Sequence, residues 1–163
     1  MTSQLTVRAA QLADLDVVVE LRLALLREYR EHPLYTALRA DAPERARGLY
    51  HSQLVSAFET IFLAERSGRV SGLLRCVDTV GSPLLLPERF CYVSSVYVRP
   101  ADRRTGVLHA LIAAAEQWCD QRCIDEIRLH SVTASSVAQQ AWSSLGFEVV
   151  EQVRRRALHA GAR

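Results

Sequence analysis

The segment Tyr97-Val-Arg-Pro-Ala-Asp-Arg-Arg-Thr-Gly-Val-Leu108 gathers the residues best suited to hold an anion. Aromatic and β-branched residues run up to Pro100, a basic turn follows, and Gly106 opens an apolar stretch that reads as a helix. The first N–H groups of a helix have no internal partner, and the helix dipole adds partial positive charge there. Gly106 permits close approach, and Arg103 and Arg104 add charge-assisted bonds, so a diphosphate is the fitting ligand. The segment has neither the Gly-Lys-Ser/Thr of a P-loop nor the three glycines of a dinucleotide fold, which argues against ATP and NAD. The plainer alternative is a strand-to-helix turn with solvated arginines.

The elements that must position this turn follow from the hydrophobic periods. Leu5, Val7 and Ala9 alternate as in a strand, and Val18, Leu21, Leu25, Leu26 and Tyr29 recur at helical spacing, capped by Asp14 or Asp16 and ending before Pro33. Asp41-Ala-Pro43 opens a second helix over 42–58. Strands are predicted over 61–65 and 70–77, joined by a hairpin at Ser67-Gly68-Arg69. A loop over 80–87 leads to a long strand over 90–98. Then come the basic turn, a helix over 106–122, a strand over 126–132, a helix over 135–145 and a strand over 147–153, with 154–159 as a last strand or frayed end. This order predicts an α/β fold. One domain over 1–163 holds a mixed sheet, antiparallel in its N-terminal part and parallel where β and α alternate.

Composition narrows the partners. With 163 residues, 49% hydrophobic, the chain suits one domain with a sizeable core. A net charge of +2 gives no footprint for nucleic acid or an anionic membrane, and the Arg154–Arg155–Arg156 run reads as an exposed strand face. No apolar run nears the roughly 20 residues that span a bilayer, and no signal peptide is evident, so a cytoplasmic location is expected. Cys76, Cys91, Cys119 and Cys123 lack a second ligand pair at metal spacing and read as buried, reduced thiols, with no metal.

Two motifs together carry a family resemblance. Val98-x-Pro100-x-x-Arg103-Arg104-x-Gly106-Val107 is followed, after a helix and a strand, by Ala138-x-x-Ala141-Trp142-x-x-Leu145-Gly146-Phe147. With the Ala64-to-Gly72 hairpin, these resemble the GNAT (GCN5-related) N-acetyltransferases over Leu5 to about Arg156. The resemblance implies a sheet flanked by helices on both faces, with the strand ending at Val98 splayed from its parallel neighbour. It implies acetyl-CoA as co-substrate, the pantetheine arm along Val98, the thioester near Val96 and Tyr97, and the diphosphate on the amides of Arg104, Thr105, Gly106, Val107 and Leu108. Transfer would be direct, so no cysteine nucleophile is needed.

The same comparison marks departures. The family's acid Tyr in the last helix is matched by Trp142, whose indole donates but does not titrate usefully. The alternative for Trp142 is packing beside the CoA arm. Ser135 replaces an Asn and either bonds the cofactor or caps the helix, and Leu108 replaces a small residue. Where relatives carry a basic Glu, Tyr92 and His130 stand here, and an imidazole suits proton abstraction near neutrality. Ser94 and Ser95 could hold a water in the splay. Glu28, Glu31, His32, Tyr35 and Glu88 are the residues able to receive a cationic amine, or else belong to a solvated helix end and loop.

The expected activity is acetyl transfer from acetyl-CoA to a primary amine, of a small molecule in preference to a protein or peptide. The rivals are a non-catalytic CoA-binding regulatory module and an interaction domain that keeps only the fold. A homodimer is compatible with the resemblance.

Overall fold

The computed structural model describes residues 4–158, which divide into two compact units, one up to His130 and one from Ser131 onward. The first unit holds five strands, β1 (Leu5–Ala9), β2 (Glu59–Arg66), β3 (Arg69–Val80), β4 (Arg89–Val98) and β5 (Ile127–Leu129), and three helices, α1 (Leu15–Glu28), α2 (Ala42–Leu54) and α3 (Val107–Gln121). The strands lie in chain order, antiparallel from β1 to β4 and parallel between β4 and β5. The mixed sheet is therefore as the sequence predicts.

Local chemistry explains the junctions. Ser67 and Gly68 both take positive φ, 52° and 72°, as a two-residue hairpin that matches the strand twist requires. Asp14 ends a short 3-10 turn, where its carboxylate accepts from the Gln11 N–H at 2.8 Å and from both terminal nitrogens of Arg8. It acts through these bonds and not as a side-chain cap of α1. α2 begins with Pro43 in its first turn, as predicted, but stops at Leu54, before Phe58, which stays exposed.

The sheet has two differently used faces. Ile61, Leu63, Leu73 and Tyr97 pack with Val18, Leu21 and Tyr50 of the first two helices into one core. Alternation along β3 and β4 turns Cys76 and Cys91 the other way, toward α3 and Cys119. These three thiols are buried and free, as expected, and burial pushes Cys119 up to about 12, far from the reactive thiolate range. Cys123 departs from the expectation: it is exposed, at φ 54°, just past the end of α3.

Gly72 lets β3 and β4 meet. A Cβ there would lie 2.7 Å from the Tyr97 carbonyl oxygen. Just beyond, the register slips: Leu73 pairs with Tyr97 but Arg75 with Ser94, so Ser95 and Val96 together oppose Leu74. This β-bulge places Ser95 at φ 54° and was not foreseen from the strand pattern.

The second unit contains α4 (Ser136–Ser144), which ends in a Schellman turn. Gly146, at φ 84°, donates to Ser143, Phe147 N–H donates to the Trp142 carbonyl at 3.1 Å, and the two rings stack edge-on, 5.4 Å apart. The predicted strand over 147–153 does not form, nor one over the described part of 154–159. These residues carry no regular structure, and Val149, Val150 and Val153 are exposed. No sheet edge pairs with them among the described residues, so their β-branched character alone cannot make a strand. His159 lies outside the described residues.

Candidate active site

Beyond its last parallel pair, Val93 with Leu129, β4 continues through residues 94–98 with, among the described residues, only β3 hydrogen-bonded beside it. Its other edge offers backbone donors and acceptors to an extended ligand at Val96, Tyr97 and Val98. The chain then turns through Pro100–Asp102, where Asp102 is buried against Arg69 at 2.7 Å and receives no bond from Arg103 or Arg104.

The basic turn presents a run of backbone donors. Arg104 and Gly106 both adopt positive φ, 61° and 87°, and Gly106 forms the N-cap of α3. The first amide to donate back is that of Ala110, to Gly106 at 3.0 Å. Among the described residues, the amides of Arg104 through Leu108 donate to no protein acceptor. Arg103, Arg104, Thr105 and Gly106 are exposed, Val107 is buried in the core, and Leu108 is half-buried. Space around Gly106 is open, so glycine is needed there for its backbone angle and not for room. Thr105 is locked by its hydroxyl to Asp102 O at 2.6 Å, and its own carbonyl receives Arg66.

Arg103 is engaged elsewhere. Its guanidinium meets Glu28 at 2.6 Å and Val98 O at 3.0 Å and lies over the Tyr97 ring. Glu28, a candidate for the acceptor amine, is thereby tied to the basic turn.

On the face that carries α1 and α2, Tyr92 pairs across to Arg128, and the Tyr92 hydroxyl lies 2.8 Å from His130 Nδ1. The structure thus joins the two residues that the sequence offered as alternative bases. Burial holds the Tyr92 phenol above its usual range, while Arg75 and Arg22 pull the other way. Ser94 accepts from Arg75, which is paired with Glu59. Ser95 is buried in the bulge. In the α1–α2 connection, His32 and Tyr35 stack 5.0 Å apart and Tyr29 approaches Tyr35. Glu31 and Glu88 are exposed and unpaired among the described residues.

In the second unit, Ser135 caps α4, its hydroxyl accepting from Ala138 N–H at 3.2 Å. Trp142 packs on Phe147. Sequence reasoning missed Arg22, Arg75 and Glu59. Arg75 and Glu59 become neighbours only through strand register, and Arg22 is one arginine among many on an amphipathic helix. No group of metal-ligating side chains occurs among the described residues, and no helix there is long and apolar enough to cross a membrane.

A model of the acetyltransferase (GNAT) family matches residues 18–147. An aminoglycoside N(6′)-acetyltransferase type 1 of Acinetobacter haemolyticus is 34% identical over 62 residues, 38% of this chain and 43% of that protein. The chain thus spans less than half the length of the curated relative it matches. Among solved structures, aminoglycoside N-acetyltransferase AAC(6′)-Iy in complex with CoA superposes with a TM-score of 0.79 at 19% identity, covering 98% of each chain. A GCN5-related N-acetyltransferase from Ralstonia eutropha JMP134 gives 0.77 at 20% identity, over 96% of this chain and all of that one. At such identities the likeness is one of fold.

Proposed function

The chain belongs to the acetyltransferase (GNAT) family, and from that premise we propose that it transfers the acetyl group of acetyl-CoA directly to a primary amine of a small molecule. The observation that carries this reading is the continuity of the open β4 edge at 94–98 with the unsatisfied amides of 104–108. An extended, amide-bearing arm ending in a diphosphate fits that succession of donors and acceptors, whereas a nucleoside triphosphate has no use for the strand edge. The family model runs across both units, which supports reading the chain as one catalytic domain.

The residues divide the work as follows. The amides of Arg104 to Leu108 and the exposed Arg104 hold the diphosphate, with Gly106 setting the angle. The bulge at Ser95 and Val96 turns backbone N–H groups out of the ladder, where one can polarise the thioester carbonyl beside Val96 and Tyr97. The acceptor approaches on the Tyr92 side. Its ammonium gives a proton to the Tyr92 oxygen as the Tyr92 hydroxyl proton passes to His130 Nδ1, leaving imidazolium. The freed amine forms the C–N bond and the C–S bond breaks. The proton that the nitrogen loses as the amide forms passes through water to the leaving thiolate, since the Trp142 indole does not act as an acid.

Relatives of this chain are named for acetylating aminoglycosides, which places polyamine sugars among the acceptors to try. The test begins with the thermal midpoint in acetyl-CoA, CoA and ATP separately, because ligands of the native state raise it. Both CoA species should raise it and ATP should not. Acetylated product is then sought by mass spectrometry across primary amines, kanamycin included. A midpoint indifferent to CoA well above micromolar concentration would sink the reading. CoA binding without product from any amine would favour the regulatory module.

A further inference from the structure

Arg22 stands in the middle of α1 on the stripe that packs against the sheet, four residues after Val18 and three before Leu25. It is half-buried, yet among the described residues it makes no hydrogen bond and no ion pair. Arginines elsewhere along the helix and the sheet are matched: Arg75 has Glu59, Arg99 has Glu20, Arg103 has Glu28 and Arg128 has Glu126. No Arg22 nitrogen is fully buried, so its five donors stay open to an incoming acceptor, and the planar fork fits a carboxylate or a phosphate.

The strands place the polar half of the sheet opposite this cation. Leu73, Ile61 and Leu63 face the core under α1 and α2, and the same alternation puts Arg75, Glu59, Tyr92 and Ser94 on that face nearer the splay. Arg128, His130 and Phe90 share it, with Arg128 lying over the Phe90 ring 4.0 Å away. The carboxylates here, Glu59 and Glu126, are neutralised by their own arginines. The remaining cation is Arg22, and its charge acts on the Tyr92 hydroxyl. A pocket for a polycation needs surplus carboxylates, and this face has a surplus guanidinium.

We propose that the acceptor amine carries an oxyanion, a carboxylate or a phosphate, held by Arg22 while the amine faces Tyr92. This rests on the acetyltransferase reading and names its substrate class. Arg22 is then a specificity-determining residue: it orients the acceptor by its anion and leaves proton removal to the Tyr92–His130 pair.

The test is calorimetric titration of the full chain, first with CoA and then, once CoA-saturated, with L-phenylalanine against its methyl ester, phosphoethanolamine against ethanolamine, and spermidine. At least one anionic member should bind about tenfold or more tighter than its neutral partner, the usual worth of a hydrogen-bonded charge pair. The pair that responds distinguishes carboxylate from phosphate. Arg22→Gln should abolish the preference with CoA affinity unchanged, and Arg22→Lys should restore part of it. Equal binding of charged and neutral partners, tightest binding of spermidine, no binding in either pair, or an Arg22→Gln loss that strikes both members alike would overturn the proposal. Failure of CoA itself to bind appears at the first step and counts against the acetyltransferase reading instead.

Discussion

The Tyr92 hydroxyl sits 2.8 Å from His130 Nδ1, with the two rings edge-on at 5.5 Å. The pair bridges the last hydrogen-bonded rungs between β4 and β5, beside the point where the strands part. Because burial keeps the phenol protonated through the neutral range, it can accept a proton only while passing its own to the imidazole.

Tyr92→Phe and His130→Gln should each lower kcat/KM by about 10²-fold, the ordinary worth of a positioned base, with acetyl-CoA affinity intact. Because burial holds the Tyr92 phenol above its usual range, the wild-type pH–rate profile should show no falling limb from Tyr92 through the neutral range. A double variant no worse than either single one identifies a single relay.

In the basic turn, Gly106→Ala forces a Cβ into the left-handed region and should destabilise the fold by about 1 kcal/mol. Arg104→Gln should leave stability unchanged and weaken CoA binding by about tenfold, since the exposed Arg104 has no protein partner to lose. Chemical denaturation and calorimetry separate the two effects.

Gly72→Ala should cost about 2 kcal/mol, because its Cβ meets the Tyr97 carbonyl oxygen, a backbone atom that cannot swing aside. The displaced strand carries residues 97 and 98, so CoA affinity should fall with stability. Urea unfolding and CoA titration of the same preparation check both.

Cys123 and Gly146 occupy equivalent positions at the ends of α3 and α4. Ile124 N–H bonds to Cys119 O at 3.0 Å as Phe147 N–H bonds to Trp142 O. Cys123 takes the left-handed angle with a side chain, so Cys123→Gly should raise stability by about 0.5–1 kcal/mol. It also removes the one exposed thiol among the described residues. A rise in Tm with unchanged activity is the expected result.

Asp14 gives a pH signature at the sheet edge. The Arg8 guanidinium holds its carboxyl below the usual range, against the opposing effect of burial and with help from the Gln11 N–H. The folded chain therefore favours the ionised form. That stability is present above the unfolded value near about 3.9 and is lost as pH falls through the lower folded one. Asp14→Asn should cost about 1 kcal/mol at pH 7, with the gap to wild type closing as pH falls through the lowered folded value.

Much of the frame was legible because it is local. Ser67-Gly68, Pro43 and Gly106 each announce a backbone angle or a missing donor, and the structure puts a turn or helix start at each. The strand expected over 147–153 failed for the opposite reason: Val149, Val150 and Val153 have strand character, but a strand exists only with a partner edge. The Tyr92–His130 contact and the Arg75–Glu59–Ser94 group depend on register between segments far apart in sequence. Tyr92-Val-Ser-Ser-Val-Tyr-Val98 reads as one alternating series, and nothing local says that it slips at Ser95.

That slip separates two kinds of evolutionary freedom. Residues 90, 92 and 94 share a face with Arg75 and Arg128, whereas past the extra residue the same face passes to Tyr97 and the core. Substitutions before the bulge can change that half-exposed face without disturbing packing, and those after it answer to the core. One inserted residue thus makes the strand two modules, so under the proposed function acceptor range can drift across descendants while the acetyl-donor half stays fixed.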